Sequence, residues 1–216
     1  MRTLAAVTTL SLAVLCGCSS TRTVLVSVPP RVDVKSYGAV GVVEFASNSG
    51  GAIGARAARR LEEEVQAAQP GTRFIELGEP QTVLAAVGAS QFDYAAAKKI
   101  GEKYGVGAIF VGDIAYSQPK MDIRVIDVAK FEGNVRAEMR GDVSGRLIET
   151  ATGANVWTSS AWAHRQLGAL SVSAERGVNG GMGEANPQEA MLPALVYQLT
   201  RDFRPTTMRQ TVEPAQ

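Results

Sequence analysis

The chain has 216 residues, of which 45% are hydrophobic and 20% charged, a composition typical of a globular domain with its own core. The 22 Lys and Arg residues balance 21 Asp and Glu residues to a formal net charge of +1, which argues against a nucleic-acid binder. Two cysteines and one histidine are too few for most zinc-type sites or for a disulfide-dense scaffold, so we expect neither a metal nor a cofactor.

The first segment has the pattern of an export signal. Arg2 precedes an uncharged apolar run over residues 4–15, which is too short for a permanent membrane span but suits a signal peptide. The sequence LCGC at 15–18 resembles a bacterial lipobox, although Cys16 stands where a small residue is more usual. We therefore predict a lipoprotein signal peptide over 1–17 and lipidation of Cys18. The alternatives are a plain secretory signal and an N-terminal membrane helix.

Lipidation of Cys18 would anchor the chain and leave it without a free thiol, since Cys16 would be removed. By resemblance to sorted lipoproteins, Ser19 favours the outer membrane, with the domain facing the periplasm. Residues 18–36 are predicted to be an extended tether, in which residues 24–28 could pair as an edge strand. We expect a single α/β domain over 37–204 and a disordered tail over 205–216.

The first half of the domain alternates apolar runs with amphipathic stretches. Strands and helices are separated here by turn signals such as Pro70-Gly71, and Asp93 and Gly105 are predicted to cap the third helix at its two ends. The predicted elements are a strand at 37–46, a helix at 52–68, a strand at 73–77, helices at 79–88 and 93–104, and a strand at 106–115.

The second half is predicted to be mostly antiparallel. Residues 121–128 form a strand with a bulge near Val125, and residues 135–150 alternate apolar and charged residues, as a half-buried strand does. After a turn, residues 155–164 return as the next strand, and Trp157 is expected in the core. A Gly-rich stretch at 166–185 is predicted to be a mobile loop, which is either a partner-binding surface or a solvent-exposed loop without a binding role. A final helix follows Asn186 in a capping box and contains Pro193. This order implies a mixed parallel and antiparallel sheet flanked by helices.

The loop before the first helix resembles a dinucleotide-binding fingerprint incompletely. Ser49, Gly51 and Gly54 occupy its three glycine places, and Glu76 is the only acidic residue near the end of the second strand. Because the first place is serine, we favour a structural turn feeding a helix.

No arrangement of catalytic residues is convincing. His164, the single histidine, would have to serve any Ser-His-Asp triad, but no G-x-S-x-G motif occurs, so a surface or structural role is favoured. Glu44, Asp113, Asp122 and Asp127 are the carboxylates that could pair as in a glycosidase, yet their spacing does not favour it. We expect no enzymatic activity.

Two stretches together resemble a known group. The sequence AAKKIGEKYGVGAIFVGDI at 96–114 and the sequence GRLIETATGANVWTSSAWA at 145–163 resemble periplasmic domains of the CsgG, LpoB and TolB N-terminal type. The resemblance implies an anticodon-binding-like α/β domain that acts as an adaptor.

Within this group the resemblance implies two tasks. One is an outer-membrane lipoprotein that regulates an envelope protein, such as a penicillin-binding peptidoglycan synthase. The other is a CsgG-type subunit of a secretion or surface-assembly complex, which oligomerises and inserts hairpins into the membrane. Residues 135–147 carry five charges and no aromatic belt, so the first task is favoured. The oligomeric state and the identity of the envelope partner stay open.

Overall fold

The computed structural model describes residues 22–50, 52–127, 132–173, 177–182 and 186–212. The predicted signal peptide at 1–17 and the predicted lipidation site Cys18 lie outside these residues. In chain order the elements are β1 (Arg22–Val28), β2 (Ala39–Val43), β3 (Ala46–Ser47), α1 (Ile53–Ala68), β4 (Arg73–Gly78), α2 (Pro80–Ala86), α3 (Tyr94–Tyr104), β5 (Ala108–Tyr116), β6 (Lys120–Asp127), β7 (Glu132–Glu149), β8 (Asn155–Ser173), β9 (Gly177–Met182), α4 (Pro187–Leu199) and β10 (Thr206–Val212).

The chain divides into two compact units, of which the smaller is a two-stranded antiparallel sheet of β1 and β10. The two strands pair in continuous register from Arg22 opposite Val212 to Val28 opposite Thr206. Residues 206–212 are therefore a strand, and the expected disordered tail is wrong for this segment. Both segments are rich in valine and threonine, which favour strands, but neither has a partner nearby in sequence to reveal the pairing.

The larger unit, Pro29–Pro205, is built on a mixed sheet of strand order β4-β2-β5-β7-β8-β9. β2 lies between β4 and β5 and runs parallel to both, whereas β7 pairs antiparallel with β5 and β8. β3 also pairs with β5, and β6 pairs with β7 with a register shift between Val125 and Asp127. The predicted α/β class with early parallel and late antiparallel pairing is confirmed. The more specific prediction of an anticodon-binding-like domain stays a prediction.

The helix ends follow the local sequence signals closely. The Asp93 carboxylate accepts a hydrogen bond from the Ala96 amide at 2.8 Å, and Gly105 has the left-handed φ of 68° that a C-terminal cap requires. Asn186 precedes α4 as expected, but its side chain makes no capping hydrogen bond, so the predicted capping box is not formed. Pro193 lies inside α4 on its exposed side.

Helices cover the two faces of the sheet unequally. On one face α1 and α4 bury a large core around Leu61, Phe110, Leu147 and Phe203. On the other face the helical layer covers only the region around Ile100, Ile109, Val111 and Ile148. Trp157 belongs to the larger core, as expected, with its ring edge-on to Phe110 at 5.9 Å.

The largest difference from expectation is the Gly-rich stretch at 166–185. β8 continues to Ser173, and β9 pairs with it from Met182 opposite Gly168 to Gly177 opposite Ser173. The mobile-loop prediction is therefore wrong for residues 166–173 and 177–182. Glycine has low strand propensity, so local composition favoured a loop, whereas hydrogen bonding to an extended β8 supports the strand.

Candidate functional site

The loop before α1 has a structural explanation. A Cβ atom on Gly54 would lie 2.0 Å from the carbonyl oxygen of Phe45, so only glycine allows this close approach of helix and strand. The loop begins at Asn48, whose side chain accepts a hydrogen bond from the Tyr116 amide at 3.0 Å and donates one to the Tyr116 carbonyl at 3.1 Å. Gly51 lies outside the described residues, and Glu76 lies on β4 opposite Val42.

The structure places the candidate carboxylates in separate surroundings. Glu44 lines a small cavity together with Glu62 and Glu76, whereas Asp113 lines a different groove on β5. Asp122 accepts a hydrogen bond from Arg124 on β6 at 3.1 Å. The side chain of Asp127 is not among those described. Glu44 and Asp113 thus line different cavities, and Asp122 pairs with an arginine.

Glu62 is the carboxylate whose environment is most unusual. Burial, followed by the negative charge of Glu76, raises the pKa of Glu62 from 4.5 to about 7, while the positive charge of Arg59 opposes this change. Its Oε1 atom is buried and has no hydrogen-bond partner. This carboxyl group is therefore expected to titrate near neutral pH, a property that no sequence motif predicted.

His164 lies on an open sheet face on the strands β7 and β8. Along β8 the even-numbered residues Thr158, Ser160, Trp162 and His164 are all exposed, whereas Trp157 on the opposite face is buried. The helical layer on this side ends near Val111 and Ile148. A row of side chains from β5, β7 and β8 is therefore left on the surface; we call it the open face.

The side chains of the open face hold one another in place. Trp162 lies directly opposite Asp142, and His164 lies directly opposite Arg140. The Arg140 guanidinium carbon is 5.4 Å from the centre of the Trp162 ring, and the His164 ring meets the same indole edge-on at 5.1 Å. Cation–π and edge-to-face contacts of this kind fix an aromatic ring without burying it.

Asp142 positions Arg140 in turn. The Arg140 Nε atom donates to both carboxylate oxygens of Asp142 at 2.9 Å, and this hydrogen bond raises the pKa of Arg140. Beside this pair lies a shallow groove of about 280 Å³, and its exposed lining includes Asp113, Ser144 and Ser160. The open face thus joins an ordered aromatic ring with fixed positive and negative charges.

Trp162 is 56% exposed, which is unusual for a side chain with so large an apolar surface. Tyr197 on α4 is 55% exposed and also stacks on an arginine: the Arg204 guanidinium carbon is 3.6 Å from the centre of the Tyr197 ring. The two aromatic residues match in exposure and in type of contact, but only Trp162 lies on the open face.

Trp162 was not among the site residues predicted from the sequence. The alternation over 135–150 predicted that Arg140 and Asp142 lie on a solvent-exposed face. In the following strand Trp162 and His164 are two residues apart and therefore lie on the same face. The missing information was the register between β7 and β8, together with the end of the helical layer. Each depends on tertiary packing.

No protein-family model matches the chain, and no curated protein matches it. Among solved structures, it is similar to the PelC dodecamer from Paraburkholderia phytofirmans, with 13% identity, 85% of this chain and 98% of that chain covered, and a TM-score of 0.41. It is also similar to the LpoB C-terminal domain from Escherichia coli, with 16% identity, 61% and 87% covered, and a TM-score of 0.33. Lipoprotein GNA1162 from Neisseria meningitidis has 12% identity, 75% and 97% covered, and a TM-score of 0.34.

Bacterial lipoproteins are thus among the structures that this chain resembles, and LpoB is one of the family types named from its sequence. With TM-scores below 0.5, these likenesses assign no function. Among the described residues, none of the helices is both long and apolar enough to cross a membrane.

Proposed function

We propose that this chain is a non-catalytic lipoprotein of the outer membrane whose domain faces the periplasm and binds another protein of the cell envelope. Cys18 is the proposed lipid attachment site, and the partner we consider first is a peptidoglycan synthase of the penicillin-binding class. The lipobox-like sequence supports the anchor, and the open face supports the binding role.

The observation that carries the binding role is the exposed, ordered indole of Trp162. Aromatic residues and arginines are enriched at the energetic centres of protein interfaces. Arg140 and His164 already hold the ring in place, so little conformational entropy is lost when a partner covers it. The neighbouring Asp142 and Asp113 supply charges that give such an interface its orientation.

The test is a comparison of Trp162→Ala with Tyr197→Ala. Each substitution removes a half-exposed aromatic ring from an arginine. We expect Trp162→Ala to weaken binding to the purified peptidoglycan synthase of the same bacterium by about tenfold or more, as loss of an interface hot spot does. Tyr197→Ala should leave the binding constant unchanged.

The binding constants should be measured with the full chain, by a method such as surface plasmon resonance. A photo-crosslinking residue at Ser144, which is exposed in the groove of the open face, would then show whether the synthase contacts this groove in cells. Failure of the unaltered chain to bind the synthase would reject that partner. Equal binding by the Trp162→Ala variant would reject the open face as the docking surface.

One observation favours the alternative, a CsgG-type subunit of an envelope secretion or surface-assembly complex. β7 and β8 are 18 and 19 residues long, and their distal parts pair with β6 and β9. On β6, Met121 and Ile123 are 73% and 67% exposed, and they lie opposite Ala137 and Val135. This distal part of the sheet therefore presents apolar side chains on one face.

The mass of the detergent-extracted protein separates the two functions. An adaptor is expected as a monomer or a small oligomer, whereas a secretion subunit is expected as a stable ring. Met121→Ser combined with Ile123→Ser should dissociate such a ring if the apolar face of β6 holds it together. Light scattering of the extracted protein measures both outcomes.

A further inference from the structure

Within the part of the chain that the structure describes, the outer edge of β8 has no strand partner over residues 155–167, about two thirds of the strand. Among the described residues, β7 pairs with one side of β8 throughout, while β9 pairs with the other side only from Gly168 onward. A groove of about 540 Å³ runs beside the unpaired part. Its lining, which we call the edge groove, is formed by residues 156–160 together with Arg31, Val32, Arg201 and Asp202.

The backbone direction along this edge follows from β7. Two backbone hydrogen bonds join β7 to the two ends of β5: the Thr150 amide donates to the Gly107 carbonyl, and the Ser117 amide donates to the Arg140 carbonyl. The even-numbered residues of β7 therefore direct their backbone groups toward β5, away from β8. Odd-numbered residues of β7 consequently bond to the odd-numbered residues of β8 opposite them. By the same alternation, the amides and carbonyls of Thr158 and Ser160 point outward into the edge groove.

The part of this edge that lies beside the edge groove lacks the usual protection against pairing with another chain. Natural edge strands are commonly guarded by charged residues or proline. Residues 156–160 have the sequence VWTSS, which contains neither. At the opposite edge of the sheet, β4 carries Arg73 and Glu76. The β8 edge is therefore the better template for an added strand.

The charge around the edge groove selects the kind of strand that fits. Asp202 accepts a hydrogen bond from the Trp157 indole nitrogen at 3.2 Å, which ties its carboxylate to the core. Arg31 and Arg201 both approach this one carboxylate, at 3.5 and 3.9 Å, and their side chains are 81% and 72% exposed. Two guanidinium groups beside one carboxylate leave a net positive charge, which suits an acidic partner.

We propose that the edge groove binds an extended acidic segment of another protein, which adds to the sheet as a strand beside β8. The outward groups of Thr158 and Ser160 supply the main-chain hydrogen bonds. Arg31 and Arg201 bind the acidic side chains of the segment. Ser160 lines both grooves, but the added strand uses the backbone of β8 and the two arginines and not the ring of Trp162. The proposal therefore does not rest on the function proposed for the open face.

The test uses a displayed library of twelve-residue peptides, selected against the full chain in detergent. We expect the selected peptides to be enriched in Asp and Glu and in β-branched residues. One selected peptide, labelled with fluorescein, is then titrated with each variant, and fluorescence anisotropy gives its Kd.

Thr158→Pro removes one outward amide without removing a ladder hydrogen bond, so it should raise the Kd about tenfold or more. Thr158→Val is the matched control because it keeps the amide and the shape of the side chain. Arg31→Glu combined with Arg201→Glu should also raise the Kd, and this effect should shrink in high salt. Glu102→Gln, at an exposed position on α3, should leave the Kd within about twofold, since it lies on another element.

Three results would overturn the proposal. The first is a selection without enrichment of acidic sequences, and the second is a peptide that binds Thr158→Pro or the charge-reversed variant as well as the unaltered chain. The third is a dimer or larger assembly that Thr158→Pro dissociates, which would make a second copy of this chain the occupant of the edge. Circular dichroism of each variant verifies that it is folded.

Discussion

Gln69 shows how a single polar residue can join segments that are distant in sequence. Its side chain is almost fully buried at the end of α1, where its Oε1 atom accepts from the Val34 amide at 2.9 Å. Its Nε2 atom donates to the carbonyls of Val32 and Phe203, at 2.7 and 3.1 Å. One amide group therefore satisfies three backbone groups from the beginning and the end of the larger unit.

Replacing Gln69 by methionine should destabilise the protein by about 3 kcal/mol, because buried backbone groups lose their hydrogen-bond partners. Gln66→Met is the matched control, since Gln66 is an exposed residue of the same helix. Urea denaturation followed by circular dichroism measures both variants. A similar loss for the two would show that the buried hydrogen bonds are not responsible.

Glu62 should make stability depend on pH. Its pKa is raised from 4.5 to about 7 in the folded protein, first by burial and then by Glu76. Between these two pH values the folded state retains a proton that the unfolded state releases. The contribution of Glu62 to the free energy of unfolding is therefore greatest below pH 4.5 and falls as the pH rises from 4.5 to about 7.

Glu62→Gln should remove this dependence. We expect the variant to gain about 1 kcal/mol relative to the unaltered protein at pH 8 and nothing at pH 4, after allowance for solvent screening of a half-buried group. Glu102→Gln, at an exposed position on α3, serves as the control. Thermal unfolding at the two pH values would contradict the expectation if the gain were equal at both.

At the scale of elements, the contact between α1 and the strand region before it depends on one glycine. The Phe45 amide donates to the Gly54 carbonyl at 3.2 Å, so the first turn of the helix lies against the chain that follows β2. The sequence suggested a nucleotide-binding role for this glycine as one interpretation, and the packing explains its presence without a ligand.

Gly54→Ala should destabilise the protein by about 2 kcal/mol or more, because the added methyl group overlaps a backbone oxygen. Gly181→Ala is the control, since a Cβ atom there meets nothing within 4 Å. The midpoints of urea unfolding compare the two variants. A stable Gly54→Ala protein would show that helix and strand can separate at little cost.

For the whole molecule, the open face and the edge groove both lie within the larger unit, at the antiparallel end of its sheet. They exist because the sheet extends beyond the helices that cover the parallel end. The parallel half of the sheet is therefore covered, with β2 and most of β5 buried. On the antiparallel half, side chains remain accessible at the surface.

The proposed anchor makes a prediction about the location of the whole molecule. Cys18→Ala should abolish labelling by a fatty-acid analogue and release the chain from membrane fractions, because no other lipid attachment site is proposed. Cys16→Ala should still be labelled, since that residue precedes the proposed cleavage site. Labelling of Cys18→Ala would reject the lipoprotein assignment.

Much of the larger unit was predictable because its signals are local. The periodicity of α1, the cap at Asp93, the left-handed Gly105 and the alternation along β7 each depend on neighbouring residues, and together they predicted the mixed sheet. The strand at β9 was missed because its glycines have no strand preference of their own.

The sequence by itself determined the order of the main elements and the class of the sheet, since each follows from patterns within a few residues. The lipid anchor at Cys18 is a prediction from the same kind of local pattern. Tertiary structure decided the pairing of β1 with β10, the three hydrogen bonds of Gln69, the raised pKa of Glu62 and the exposure of Trp162. These features depend on which distant segments become neighbours and on where the helical layers end, because burial and strand register are properties of the packed chain.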